Sequence, residues 1–173
     1  MNMQTAVRQQ LTGSHGTLRH MLSDCDSEVL NMTLPNATIG SIASIYAHAV
    51  IAEDVFVHAR FQDGQPLYQS GGWEGRTGVP FPGIPPAMTP EWAAALNMDL
   101  PKFQEYAEAV FAATDSYLAN LPDSELERKI QGAAGGEYTL AWGIAILLCQ
   151  HAAQHSGEIA ALKGVQGLKG LPF

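Results

Sequence analysis

The hydrophobic positions of this chain repeat mainly with the spacing of α-helices. In residues 3–30, apolar side chains recur every three or four positions, as on the buried face of an amphipathic helix. A similar stripe follows Asp99, a suitable helix cap, and ends at Leu121. Another fills Leu140–Lys163. The pattern predicts an all-α fold in a single domain that covers residues 1–173.

The segment Ile39–Phe61 is predicted to be a further helix, with Thr38 as its cap. It is apolar on nearly every side, which is typical of a helix that is buried all round. His48 lies in its middle, among small and apolar residues. Glu53 and Asp54 are expected to form its one polar edge.

Three other histidines have ordinary interpretations. His58 lies near the end of the same helix, where the helix dipole favours a cation. It is roughly 15 Å along the axis from His48, too far for the two to share an ion. His15 and His20 are roughly 140° apart around the first helix, and both are predicted to lie at the surface or its boundary.

A long connection separates the second and third main helices. Residues 62–90 are rich in Gly and Pro, and a connection of this length is usually functional or disordered. The aromatic residues Tyr68, Trp73 and Phe81 favour packing. Our hypothesis is that residues 62–98 cover one end of the helices and line a pocket. The alternative is a floppy excursion.

Two shorter elements complete the pattern. Thr89 and Pro90 resemble the start of a short helix that runs to about Leu96. Residues 123–138 begin as a charged turn and continue as a glycine-rich loop or short hairpin, after which Thr139 is placed to cap the last helix.

The last helix carries the chemistry that stands out in this sequence. His151 and His155 are one turn apart, and both lie on the stripe that should face the core, with Glu158 one turn further on. Burying an imidazole without a partner is costly, and a metal ion accepts two at this spacing.

Four main helices with one long crossover predict a four-helix bundle, a fold that builds metal sites from facing helices. The bundle brings inward-facing groups of the second and fourth helices within reach, so His48 can join His151 and His155. Three imidazoles would leave a divalent ion with an open position, as in catalytic sites. Alternatively, the three rings satisfy one another and backbone carbonyls as core histidines.

Glu158 has several possible roles on this face. It can orient a metal-bound histidine from behind, move a proton, or close the site as a fourth ligand. It can equally be a solvated carboxylate near the end of the bundle.

Composition narrows the function classes. The net charge of −8, from 17 acidic and 9 basic residues, argues against a nucleic-acid-binding protein. No apolar run approaches the length of a membrane span, and no secretory signal is visible, so a cytoplasmic location without membrane contact is expected. Cys25 and Cys149 are predicted to be buried free thiols in helices.

The segments ATIGSIASIYAHAVIAED around His48 and LLCQHAAQHSGEIAAL around His151 and His155 resemble the DinB/YfiT-like metalloenzyme family. The resemblance extends over nearly the whole chain. It implies an up-down-down-up four-helix bundle, with a metal held by one histidine of the second helix and two of the fourth. The family often has Arg-Gly-Gln after the last histidine, where this chain has Ser156-Gly157-Glu158.

The resemblance also implies a function. Family members with known activity are thiol-dependent S-transferases and an isomerase, so we expect a divalent metal that activates a small thiol, or water, for attack on a small electrophile. Zinc or nickel is the expected ion, and iron or copper also suits three imidazoles. The alternative is a non-catalytic, metal-stabilised bundle that serves as a binding or stress-related module. A homodimer is expected from the resemblance and from apolar, Trp-containing surface elements.

Overall fold

The computed structural model describes residues 3–87, 89–132 and 135–171. Its helices are α1 (Met3–Leu22), α2 (Ser27–Asn31), α3 (Ile42–Asp54), α4 (Leu67–Ser70), α5 (Pro90–Ala94), α6 (Leu100–Asn120), α7 (Leu140–Gly143) and α8 (His151–Val165). A π-helical stretch, Val55–Phe61, continues α3, and a second one, Ile144–Gln150, joins α7 to α8. We call these two composite helices the central helix and the C-terminal helix. Among the described residues the only sheet is an antiparallel hairpin of β1 (Lys129–Gln131) and β2 (Glu137–Thr139).

The main helices form a four-helix bundle in which α1 and α6 are antiparallel neighbours. Arg8, near the start of α1, pairs with Asp115 near the end of α6 at 2.7 Å. Arg19, near the end of α1, pairs with Glu108 in the middle of α6. The order of these contacts along the two helices fixes their opposite directions.

The central helix and α6 run parallel. Tyr46 packs on Phe103 near the start of both helices, with ring centroids 5.3 Å apart. Phe61 packs on Tyr117 near their ends, at 6.4 Å. The long crossover is what allows two consecutive main helices to point the same way.

The C-terminal helix runs parallel to α1. Leu11, in the middle of α1, clusters with Ile144 and Leu148 in the first half of the C-terminal helix. Lys163, near its end, donates to the Met21 carbonyl near the end of α1 at 2.6 Å. The predicted up-down-down-up four-helix bundle is therefore confirmed.

The first helix is shorter than predicted. We expected one helix over residues 3–30, but α1 ends at Leu22 and α2 follows separately. Asp26 favours this new start because its side chain accepts a hydrogen bond from the Val29 backbone N–H at 2.9 Å. Cys25 therefore lies between helices, as a half-buried free thiol.

The central helix begins at Ile42, three residues later than predicted. Ser41, rather than Thr38, is the cap, because its side chain accepts from the Ser44 backbone N–H at 3.2 Å. The helix is almost fully buried along its length, as its uniformly apolar sequence predicted.

The polar edge expected on this helix was wrong, since Glu53 is only 4% exposed and Asp54 is fully buried. Asp54 is stabilised by four donor groups. Its two carboxylate oxygens accept hydrogen bonds from the backbone N–H groups of Leu67 and Tyr68 and from the Tyr106 hydroxyl, each at 2.8 Å. Nδ1 of the His58 ring forms an ion pair with Oδ1 at 2.8 Å and also lies 3.2 Å from the Asp54 backbone carbonyl.

The crossover is a packed part of the core, so the alternative of a floppy excursion was wrong. Tyr68 is fully buried, stacks on Phe81 and lies edge-on to Tyr106. Val79 and Trp92 are also buried. These contacts reach α6 and the end of α3, and the role of this segment in lining a pocket stays a prediction.

Gly78 fastens the crossover to the chain just before α6. Its φ of +70° lies in the left-handed region, and a Cβ there would lie 1.8 Å from the Asn97 carbonyl oxygen. The Gly78 carbonyl accepts from the Asn97 N–H, and the Thr77 carbonyl accepts from the Asp99 N–H, both at 2.9 Å.

Three predicted helix caps are confirmed. Thr89, Asp99 and Thr139 each accept a hydrogen bond from the backbone N–H three residues on. The short helix that Thr89 starts ends at Ala94 rather than at Leu96.

By length and composition alone, Ile42–Phe61 passes the test for a membrane span, with a mean hydropathy of 1.2. However, 78% of that window is buried inside the protein. This is the burial of a core helix, and it explains why the sequence can be so apolar.

Candidate metal centre

Three histidines from two antiparallel helices meet near the middle of the bundle. His48 is contributed by α3, and His151 and His155 by α8. The Nε2 atom of His151 lies 3.2 Å from Nε2 of His48 and 3.1 Å from Nε2 of His155. The candidate ligand atoms of the three rings all lie within 4.8 Å of one another. The structure therefore brings together the three histidines predicted from the sequence.

The local fold of the C-terminal helix places its two rings on one face. The π-helical stretch ends at Gln150, and α8 begins at His151, so His151 and His155 have regular α-helical spacing. Within the π-helical stretch, Leu148 and Cys149 are buried, whereas Leu147, one turn before His151 on a regular helical wheel, is half-buried. The wider turn shifts the buried face by about one residue, and π-helical turns are frequent at functional sites.

Burial keeps two of these imidazoles neutral. Desolvation, helped by the neighbouring His155, lowers the pKa of His48 to about 4. Desolvation, with His155 and His48 adding to it, lowers the pKa of His151 to about 3. Both rings are therefore unprotonated at neutral pH, which is the form that binds a metal.

The donor set fits a divalent ion. A neutral imidazole carries one N–H, so the Nε2 atoms cannot all be satisfied by donating to one another. In addition, Nδ1 of His48 is buried without a hydrogen-bond partner. Imidazole nitrogens bound to one zinc at about 2.0–2.1 Å must lie about 3.3 Å apart, close to the spacings of 3.1 and 3.2 Å found here. The three histidines could therefore bind a metal ion.

Glu158 lies behind His155 rather than among the three Nε2 atoms. Its Oε2 is 2.6 Å from Nδ1 of His155, and its side chain is 43% exposed. An Nδ1–H donated to this carboxylate leaves the Nε2 lone pair of His155 directed at the other two rings. This geometry corresponds to the orienting role, and it does not close the cluster with a fourth ligand.

The site is partly open. All three histidines are half-buried as whole residues, and the His155 side chain is 12% exposed. Phe56 lies edge-on to His151, with ring centroids 6.3 Å apart. One side of the cluster is thus apolar, while solvent reaches the rings.

His58 and His15 each pair with a carboxylate that was not predicted from the sequence. His58 lies beside Asp54, with Nδ1 2.8 Å from Oδ1, and this carboxylate raises the pKa of His58. Their spacing of four residues on one helix was a visible signal. The expected dipole role for His58 is thus incomplete, because its partner is a specific carboxylate.

The prediction that His15 lies at the surface or its boundary was wrong. It is 5% exposed, its Nε2 lies 2.9 Å from Oε2 of Glu53, and its ring stacks on Phe111 at 3.7 Å. No sequence signal joins residues 38 positions apart on different helices, so only the packed bundle reveals this pair. His20 is exposed, as expected.

Comparison with known proteins gives two findings. The family model described as the DinB superfamily matches residues 10–159. A solved structure described as the conserved protein of a locus from Enterococcus faecalis superposes with a TM-score of 0.82 at 22% sequence identity, covering 96% of this chain and 99% of that one. At this identity the likeness shows the fold alone. None of the curated proteins matches the chain.

Proposed function

Because the chain belongs to the DinB superfamily and gathers three imidazoles at one point, we propose that it is an enzyme whose divalent ion is held by His48, His151 and His155. The observation that carries this proposal is the convergence of the three Nε2 atoms. Zinc or nickel is the proposed ion, and iron or copper suits the same donors. Bound there, such an ion supplies the Lewis acidity that lowers the pKa of a thiol or of water, so that a nucleophile exists near neutral pH.

The proposed reaction is transfer of a low-molecular-weight thiol to a small electrophile. A sulfur–carbon bond forms, the leaving group departs with its bonding electrons, and the thiol proton passes to a base or to solvent. Glu158 is the proposed base or proton carrier, because its carboxylate is 43% exposed and fixed beside His155. The reactants would approach the cluster from the side of His155, whose side chain is 12% exposed.

The chain's own residues would prepare this site in two ways. His48 and His151 are neutral near pH 7, so no proton has to leave them before an ion binds. Glu158 holds His155 in one tautomer and ring orientation, which favours its Nε2 as a ligand.

The test is a rate measurement on zinc-loaded protein with glutathione and 1-chloro-2,4-dinitrobenzene. Wild-type protein should accelerate thioether formation and chloride release above the buffer rate, and His151→Ala should not. His20→Gln is the matched control, since it removes an exposed histidine of the same bundle outside the cluster. Equal rates for wild type and His151→Ala would overturn the proposal.

A parallel measurement separates thiol transfer from hydrolysis. Zinc-loaded protein is given 4-nitrophenyl acetate without thiol, and release of nitrophenol is followed. A rate that depends on His151 here, with none in the thiol assay, would reassign the nucleophile to water.

One observation favours a non-catalytic, metal-stabilised bundle as the second candidate. The histidines tie the central helix to the C-terminal helix, whereas the cavities recorded within the described ranges are lined by other residues. This candidate predicts that zinc raises stability through His151 while both assays stay at the buffer rate.

Assembly and location are also proposals. A homodimer is proposed because Trp142 is 47% and Val165 is 67% exposed, and light scattering of the purified chain would test it. A cytoplasmic protein that acts on small molecules, without nucleic-acid or membrane partners, stays our prediction from composition.

A further inference from the structure

A polar pocket lies at the end of the central helix, apart from the metal centre. It is a cavity of about 560 Å³, open to solvent, bounded by the end of the central helix, the last turns of α6 and the turn that follows α6. This volume lies in the range of small-molecule sites. Its wall includes His58, which is ten residues and roughly 15 Å along the helix from His48.

His58 is held in a defined state at this wall. Nδ1 faces Oδ1 of Asp54 at 2.8 Å, and the His58 side chain is 17% exposed. Donation of Nδ1–H to Asp54 leaves the outer nitrogen, Nε2, as the free polar atom of the ring. The same carboxylate favours the protonated ring, in which Nε2 is a charged donor.

Asp54 does not compete with a ligand for this donor. It is fully buried, and its two oxygens already accept three hydrogen bonds and form an ion pair with Nδ1 of His58. A ligand in the pocket therefore contacts the His58 imidazole, whereas the negative charge of Asp54 is buried and engaged by its own donors.

A second cation stands in the same wall. The Arg128 guanidinium is fixed by two hydrogen bonds, from Nε to Glu125 at 2.8 Å and from Nη2 to the Phe61 carbonyl at 2.7 Å. Glu125 also lines the pocket and offsets part of this charge, but its side chain is 43% exposed. The polar part of the wall thus presents His58 and Arg128 at fixed positions.

The remaining wall is mixed. Ala113, Leu121, Pro122 and the ring of Tyr117 form its apolar part, and the neutral polar side chains Gln62, Ser116 and Asn120 complete it. A ligand that fits this wall has an anionic end for the two cations and a small uncharged body.

From this arrangement we infer that the pocket around His58 and Arg128 binds a small organic carboxylate, separately from the histidine cluster. The carboxylate accepts from Nε2 of His58 and interacts with Arg128, while its body packs on Leu121 and Pro122. Charge-assisted hydrogen bonds of this kind are about twice as strong as neutral ones.

The test is calorimetric titration of benzoate into the zinc-loaded, full-length protein, with benzamide as the neutral isostere. Benzoate should bind about tenfold more tightly than benzamide, and His58→Gln should weaken benzoate about tenfold. Glu125→Gln should strengthen benzoate, because it removes the competing carboxylate beside Arg128. Circular dichroism confirms that each variant is folded.

The His151→Ala variant distinguishes this pocket from the metal centre, where benzoate could also bind. Its benzoate affinity should equal that of wild type, and NMR signals of the His58 ring should shift on addition of benzoate in both proteins. Equal binding of benzoate and benzamide, unchanged affinity in His58→Gln, loss of binding in His151→Ala, or unshifted His58 signals would each overturn the inference.

Discussion

His48 and His58 lie on the same buried helix, ten residues apart, and their surroundings give them opposite chemistry. His48 faces two other imidazoles, and desolvation lowers its pKa to about 4. His58 faces the Asp54 carboxylate, which raises its pKa. Burial is partial at both positions, so the partner decides which form of the ring is stable.

This difference separates a metal-binding region from a proton-binding region. Three converging imidazoles, of which His48 and His151 are neutral near pH 7, suit a metal cation. The His58 ring, which is paired with the Asp54 carboxylate, favours a bound proton. The protonated ring can in turn bind an anion. The same residue type therefore supports two kinds of site in one bundle.

The largest change in stability is expected from replacing Asp54, the most deeply buried residue of the His58 region. Asp54→Ala should lower the free energy of unfolding by about 3–5 kcal/mol, because it leaves three hydrogen-bond donors without an acceptor and His58 without its counter-charge. Urea denaturation measures the change.

Tyr106→Phe is the matched milder variant, since it removes one of the four donors to Asp54. Its cost should be about 1 kcal/mol. A cost for Asp54→Ala no greater than for Tyr106→Phe would show that the Asp54 network does not organise this region.

The two regions should also respond to pH with opposite signs. In the metal-free protein, His48 and His151 have pKa values of about 4 and 3, below their ordinary value of 6.5. Between the ordinary and the folded pKa values the unfolded chain binds more protons, so the free energy of unfolding should fall as the pH falls, by on the order of 3 kcal/mol for each ring. His58, with a raised pKa, contributes stability that is present below 6.5 and is lost as the pH rises through its folded value.

Urea denaturation of the metal-free protein from about pH 7 to about pH 4 tests this prediction. His58→Gln is the control, because it removes only the contribution of opposite sign. If His48 and His151 signals titrate near their ordinary value by NMR, their environment is not the desolvated one described here.

Zinc should stabilise the protein through the cluster alone. At a free concentration of about 100 times the dissociation constant, it should raise the free energy of unfolding by about 2.7 kcal/mol. His48→Ala should abolish the increase, and His58→Gln should keep it. Thermal unfolding with and without zinc measures both, and an equal increase in His48→Ala would place the zinc elsewhere.

A smaller effect on zinc binding is expected from replacing Glu158, which lies behind His155. Glu158→Gln should weaken zinc about 10–100-fold without abolishing binding, because the carboxylate that orients His155 becomes a neutral amide. Competition with a chromogenic chelator gives the affinity. Glu91→Gln, an exposed position on α5, is the control and should leave it unchanged.

Much of the bundle and of the histidine cluster could be predicted from spacing. The caps at Asp99 and Thr139 depend on local hydrogen bonds that sequence encodes directly. His151 and His155 share a face because α8 is regular from its first residue. His48 could be paired with them because a uniformly apolar helix has to lie at the centre of the bundle.

The surroundings of Asp54 and the π-helical stretches depend on tertiary packing, which a local sequence pattern does not predict. Asp54 looked solvent-facing because its donors at Leu67, Tyr68 and Tyr106 come from the crossover and from α6. The π-helical stretches follow from how the central and C-terminal helices fit together. They shift the buried face in a way that a regular helical wheel cannot show.

The central claim is tested most directly by counting metal ions in the purified protein. Wild type, His151→Ala and His58→Gln are purified without a metal-affinity tag, and their metal content is measured by mass spectrometry. We predict about one divalent ion per chain in wild type and in His58→Gln, and none in His151→Ala. A wild-type protein that carries no ion and takes up none on titration, or a His151→Ala variant that keeps its ion, would contradict the account and return the three histidines to core packing.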